Sequence, residues 1–333
     1  MNEIRQRRHF LARASAAAAA LTVGPPAFAQ ANWPQSPVKM IIPFAAGGST
    51  DILTRMIGKI VGERIGQPIV VDNRGGAGGI IGTAAIAKAP PDGYTFGMTT
   101  VSSIVSAPII NTKVPFDVDR EIAFVSQIVT VPMILGVHPS VPVNTAPELM
   151  QYLRSHKGRV SYGSVAVGHY GHVAAAHIND TLDAGMAHVP YKGEGPMLQD
   201  LIAGQLQTTF LTIATTKAPS EAGRVKVLAI TGTQRHEAMP NVPTFAEQGL
   251  NDEVFKLNPG WIGIIAPAKT PSAAIQRMSS EVQAAVRQPE LRDRITALGM
   301  NLVGGTPEAF QAAYKAEIPK WRDLLARAGV KAE

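Results

Sequence analysis

Short apolar runs alternate with amphipathic stretches along most of the chain, and the alternation predicts an α/β protein built on mostly parallel sheets. Residues 38–44 are a strand candidate; after Ala45-Ala46-Gly47-Gly48-Ser49, the positions Ile52, Leu53, Met56, Ile57, Ile60 and Val61 share one helical face. Ser49 or Thr50 is expected to cap this helix and Gly66 to end it. A strand at 69–72, a helix over 78–88, a Pro90-Pro91-Asp92-Gly93 turn and a strand at 95–98 follow. Another unit opens with a helix at Pro147, passes through a strand at 159–162 and a loop to Gly171, and re-enters helix near His172. Thr270-Pro271 and Thr306-Pro307 each read as a hydroxyl cap followed by proline at the first helical position.

Composition adds limits. The 333 residues suggest about two domains, and a chain that is 45% hydrophobic and only 17% charged has too much apolar surface to stay disordered. Zero cysteines exclude a disulfide scaffold, a Cys nucleophile, a thiolate zinc site and a lipid-modified N-terminal Cys. The net charge of +6 is partly a leader effect. Arg5, Arg7, Arg8 and Arg13 outnumber Glu3 ahead of an alanine-rich run over 14–23 and the small-x-small site Ala27-Phe28-Ala29. Residues 1–29 therefore read as an export signal cleaved after Ala29, and the product as periplasmic. Removing four arginines and one glutamate lowers +6 to +3, which leaves no nucleic-acid footprint. The leader run is too short for a permanent membrane span and no later stretch reaches that length. Arg7-Arg8-His9-Phe10-Leu11 resembles a twin-arginine signal, but arginine pairs also occur in general secretory leaders, so both routes stay open.

Two segments share a strand, a loop of Gly and small or hydroxyl residues, and a helix start: residues 41–51 and 160–171. Such loops present N–H groups and hydroxyls at the positive end of a helix, an anion site that needs no Arg or Lys. The alternative is that they are only tight turns. Gly76-Ala77-Gly78-Gly79-Ile80-Ile81-Gly82 has the wrong spacing for a dinucleotide fingerprint and lacks the following acid. Neither a P-loop nor a G-x-S-x-G elbow occurs, so no cofactor and no serine elbow are implied. His172 and His177, five residues apart, fall on nearly opposite helical faces, and His169 belongs to the loop, so capping, packing or ligand-reading roles are favoured over a shared metal. Asp51 is expected to bond its own loop, and Tyr191-Lys192-Gly193 either closes over a ligand or is ordinary surface.

The chain resembles the Bug-type, tripartite tricarboxylate transporter family of extracytoplasmic solute receptors over nearly all of its mature length. The marks are Pro43-Phe44-Ala45-Ala46-Gly47-Gly48-Ser49-Thr50-Asp51, Val71-Asp72-Asn73-Arg74-Gly75-Gly76-Ala77-Gly78-Gly79 and Pro91-Asp92-Gly93-Tyr94. They continue with Val189-Pro190-Tyr191-Lys192-Gly193, Pro240-Asn241-Val242-Pro243-Thr244-Phe245 and Trp261-Ile262-Gly263-Ile264-Ile265-Ala266-Pro267. The resemblance implies a two-lobed, type II periplasmic-binding fold, with residues 30–130 plus 252–333 as one lobe and 131–251 as the other. It implies a ligand in the cleft, held by Phe44, Gly47, Gly48, Ser49, Thr50 and Asp51 on one side and by Ser164, Gly168 and His169 on the other. Ala77, Thr99 and Tyr191 are secondary candidates. The implied ligand is a small organic acid (a di- or tricarboxylate, an amino acid or an aromatic acid), passed by a monomeric receptor to membrane transporter subunits or a sensor. A receptor that signals without transport, and an extracytoplasmic hydrolase in the same cleft, are the competing readings. His169-Tyr170-Gly171, Phe116 and the missing acid after Phe210 depart from the family pattern, so no particular substrate is inherited.

Overall fold

The computed structural model describes residues 33–111, 113–257 and 260–330; the expected export signal lies outside them. Eleven strands make two sheets among the described residues. In chain order they are β1 (Val38–Ile42), β2 (Ile69–Asn73), β3 (Thr95–Thr100), β4 (Ile122–Val131), β5 (Met133–Val137) and β6 (Ser161–Ser164). Then come β7 (Ala187–Pro190), β8 (Thr208–Thr212), β9 (Lys226–Ile230), β10 (Gly260–Pro267) and β11 (Asn301–Leu302). The first sheet has the order β11-β4-β10-β3-β1-β2 and the second β7-β6-β8-β5-β9.

The helices of eight residues or more are α1 (Ser49–Ile65), α2 (Ile80–Ala87), α3 (Ala146–Ser155), α4 (Tyr170–Leu182) and α5 (Glu194–Ile202). They continue with α6 (Ile213–Glu221), α7 (Ser272–Val286), α8 (Pro289–Ala297) and α9 (Pro307–Arg327).

Pairing is mixed rather than mostly parallel. β1 pairs in parallel with β2 and β3, and β6 with β7 and β8, as helical crossovers require. Antiparallel pairs join β10 to β3 and β4, and β5 to β8 and β9. β11 also pairs antiparallel with β4, and the strands that adjoin the passages between sheets, β4, β5, β9 and β10, all have antiparallel partners. The chain leaves the first sheet after Val131, and Met133 already pairs in the second. Pro132 stands between them; with no N–H to donate, it ends the first ladder. The return runs from Ile230 to Gly260.

The capping signals explain the element ends. Gly48, not Ser49 or Thr50, is the cap residue of α1, so both hydroxyl residues lie inside its first turn, while Gly66 ends it as expected. Thr306 Oγ1 accepts from Ala309 N–H at 3.3 Å with Pro307 at the first helical position. Before α7, Pro271 itself occupies the cap position, one residue later than expected.

Val38, Met40 and Ile42 of β1 pack on Leu53, Ile57 and Val61 of α1 in the first sheet's core. Met197, Leu198 and Leu201 of α5 pack with Leu206 and Leu211 in the second. A third apolar cluster bridges the two, from Phe124, Phe310 and Trp321 to Tyr170 and Phe210. Phe310 meets Phe124 edge-on at 5.1 Å and Trp261 at 5.0 Å. Among the described residues no helix is long and apolar enough to cross a membrane.

Candidate ligand-binding site

A cavity of about 70 Å³ lies where the two sheets face each other. Its floor on the first side is the turn between β1 and α1. Gly47 has φ +82°, a left-handed conformation that favours glycine, and its N–H donates to Asp51 Oδ2 at 3.1 Å. Asn73 Nδ2 donates to Asp51 Oδ1 at 3.1 Å and to the Phe44 carbonyl at 3.2 Å, so the end of β2 braces this turn. Arg55, one helical turn on, pairs with Asp51 at 3.0 Å. Burial alone would raise the Asp51 pKa. The Arg55 guanidinium, the Gly47 N–H and the Asn73 amide outweigh burial and hold it below the usual carboxylate range. Asp51 thus spends its charge on the loop and on Arg55.

The first N–H groups of α1 have no intrahelical acceptors. The Ser49 and Thr50 side chains there are 9% and 6% exposed and line the cavity, and among the described residues their hydroxyls have no partner. Among the described residues the wall carries no Lys or Arg. Donors and a helix dipole, without a cation, offer binding to an anion.

The facing side is built by β6, α4, α5 and β8. His169 caps α4, its Nδ1 accepting from Gly171 N–H at 3.2 Å. His172 Nδ1 accepts from Gly168 N–H at 3.1 Å, and its ring stacks on His188 at 3.9 Å. Burial pushes both His169 and His172 down to about 4, so the rings are neutral at neutral pH. These are capping and stacking roles.

Glu194, at the first position of α5, is 6% exposed and reaches into the cavity. Its Oε1 accepts from Thr212 N–H at 2.5 Å and from Thr215 Oγ1 at 2.8 Å. Oε2 accepts from Thr212 Oγ1 at 3.0 Å and, across the cleft, from Ser49 N–H at 3.4 Å. Ala45 N–H also crosses, to the Lys192 carbonyl at 3.0 Å. Phe44, Val131, Met133, Val165, Tyr170, Phe210, Trp261 and Trp321 complete a largely apolar wall. The Trp261 Nε1–H is buried without a partner.

Of the residues expected from sequence, Phe44, Gly48, Ser49, Thr50, Asp51 and His169 line the cavity. Gly47 shapes the turn behind it. Thr99 points away, bonding Ser103 Oγ at 3.0 Å, because successive strand side chains alternate faces; Thr100 takes the lining place. Ser164 is buried against the Ala166 carbonyl at 2.9 Å and His188 Nε2 at 2.7 Å. Gly168 sits behind the wall, near Ile110 and Leu325. Ala77 and Tyr191 border a separate cavity of about 320 Å³. The Tyr191 hydroxyl is tied to Asp200 Oδ2 at 2.6 Å, and burial followed by that carboxylate raises its pKa. Unanticipated lining residues are Glu194, Thr212, Phe210, Trp261 and Trp321, together with Thr100 and Ser102 at a π-helical turn (Ser102–Ser106). The usable signal for Glu194 was an acid at the helix start directly after Lys192-Gly193.

The model of the tripartite tricarboxylate transporter family receptor matches residues 53–330. The chain belongs to this family. It is 29% identical over 301 residues to BugT of Bordetella pertussis, covering 90% of this chain and 91% of that one. A structure described as the periplasmic binding protein BugD is 30% identical, with a TM-score of 0.85 over 90% of this chain and 100% of that one. An R. palustris protein solved with adipate is 31% identical, with a TM-score of 0.86 over 90% of this chain and 99% of that one. Within this two-lobed receptor fold, the Gly76–Gly82 segment serves packing. A Cβ on Gly82 would lie 2.5 Å from Pro43 Cα and 2.8 Å from the Arg74 carbonyl, which explains a glycine there without any nucleotide.

Proposed function

We propose that the protein is a periplasmic receptor that captures a small organic carboxylate between its lobes and delivers it to the membrane subunits of a tripartite tricarboxylate-type transporter. The observation that carries this reading is the N-terminus of α1, where the charge of Asp51 is taken up by Arg55 and the loop. The Ser49 and Thr50 hydroxyls, without partners among the described residues, and the first-turn N–H groups beyond that of Ser49 lie at a largely apolar cavity between the two sheets. The likeness to a protein solved with adipate supports the ligand class.

In this reading residues 1–29 are removed on export, residues 30–130 with 252–333 form one lobe, residues 131–251 form the other, and the receptor works as a monomer. Binding needs no chemistry. The ligand has only to favour the closed arrangement over the open one by a few kcal/mol. No Ser–His pair forms among the described cavity residues, and the Thr212 hydroxyl bonded to Glu194 is tied into a helix start, which supports a receptor over a hydrolase.

The test is a thermal-shift screen of the mature protein against organic acids, followed by mass spectrometry of ligand retained on gently purified protein and by uptake in cells lacking the gene. A retained carboxylate that stabilises the protein and whose uptake is lost in the deletion is the expected result. Stabilisation by no acid, or turnover of the bound one, would sink the proposal.

A further inference from the structure

Glu194 gives the cleft a carboxylate of its own. Three helix N-termini converge on it: α5, where it is the first residue; α6, whose cap residue Thr212 donates through both N–H and hydroxyl; and α1 across the cleft, through Ser49 N–H. Both oxygens accept a backbone N–H, the bonding pattern of a carboxylate. The residue is buried, and among the described residues the cavity wall offers no lysine or arginine against it.

We infer that Glu194 is a specificity-determining residue that takes the place of one ligand carboxylate, so that the cleft selects monocarboxylates with an apolar body over dicarboxylates. This rests on the carboxylate-receptor reading above and narrows it. At the end of α1 the donors left over after Glu194 is satisfied are the remaining first-turn N–H groups and the Ser49 and Thr50 hydroxyls, enough for one carboxylate. At 3.4 Å the Ser49 contact is the longest that Glu194 makes, so it is the one a ligand displaces. A second ligand carboxylate would find the aromatic wall of Phe44, Phe210 and Trp261 and the like charge of Glu194; the Trp261 Nε1–H and the Thr100 and Ser102 hydroxyls are neutral donors and supply no counter-charge. A buried anion beside a like charge and without a counter-charge is disfavoured. Six carbons ending in methyl therefore fit where six carbons ending in carboxylate do not.

The experiment titrates the mature protein, its Glu194→Gln variant and its Glu194→Ser variant with matched pairs by calorimetry: hexanoate against adipate, and benzoate against terephthalate. Circular dichroism checks that each variant is folded. The wild-type protein is expected to prefer the monocarboxylate of at least one pair by tenfold or more, and both variants to move that ratio at least tenfold toward the dicarboxylate. A wild-type preference for adipate and terephthalate overturns the inference without need of any variant. So does an unchanged ratio in a folded variant. Absence of binding by all four acids and by every other acid screened, in all three proteins, overturns instead the carboxylate-receptor reading, and this inference falls with it.

Discussion

Gly48 is the position at which charge and shape at the cleft can be separated. It caps α1 with extended dihedrals (φ −86°, ψ 171°) that any residue adopts, and a Cβ there would sit 3.5 Å from Glu194 Cβ, an ordinary contact. Gly48→Asp therefore fits in the backbone and even provides a preferred helix cap, worth a few tenths of a kcal/mol over glycine. Its carboxylate, however, stands on the same side as Glu194, and taking a charge separation of about 5 Å sets the repulsion. At an effective dielectric of about 20 that repulsion is roughly 3 kcal/mol, or about two orders of magnitude in the closing equilibrium. A ligand carboxylate at the same helix end meets a comparable penalty. Gly48→Asn has the same outline without the charge. Calorimetry with whichever acid the wild-type protein binds best should show a loss of about a hundredfold or more for Gly48→Asp and less than about fivefold for Gly48→Asn, while small-angle scattering shows the Asp variant more open. Adding Glu194→Gln to Gly48→Asp should recover part of the closing. Wild-type affinity in folded Gly48→Asp would refute the assignment of the ligand carboxylate to this helix end.

Asp51→Ala removes the acceptor for Gly47 N–H and Asn73 Nδ2; a loss of about 2–3 kcal/mol of unfolding free energy is expected in urea titrations. Because the folded-state pKa of Asp51 is depressed, its contribution is present above the unfolded value near 4 and is lost as the pH falls through the folded one, so the wild-type advantage should shrink in strong acid. Gly82→Ala should destabilise by about 1–3 kcal/mol, since both nearest obstacles include backbone atoms that cannot swing aside; an unchanged denaturant midpoint would contradict the close approach. His169 and His172 titrate near 4 when folded and near 6.5 when unfolded, so the unfolded chain binds more protons between those values. Stability should be complete above about pH 6.5 and fall toward pH 4, by about 3 kcal/mol at most per histidine; His172→Gln should flatten that fall, read from denaturant midpoints across the range.

The helix-and-strand alternation was legible because apolar positions along α1 and β1 obey simple periods, and because Thr306-Pro307 and Gly66 carry local signals that need no partner. Mixed pairing was not, since the antiparallel placing of β10 depends on the chain's return from the second sheet, a long-range event without a local pattern. The first loop could be read because its residues are contiguous and belong to one turn. The opposite wall is assembled from separate segments around β6, α4, α5 and β8, and there the family resemblance placed Ser164 and Gly168 at the ligand although both are occupied in holding His188 and His172. Thr99 and Thr100 differ by one step along a strand, the smallest error that reverses a side chain's face.

Trp321 lies 277 residues after Phe44 in the sequence, yet it walls the same cavity, and Leu325 lies against the loop at Gly168. Among the described helices α9 is the last to be synthesised. A chain stopped before α9 can pair most of its strands but leaves the cavity open on one side, and it lacks the aromatic contact between Phe310 and Trp261. Binding competence therefore waits for α9. A carboxylate present in the compartment where the chain is made has no finished cleft to occupy until that helix docks.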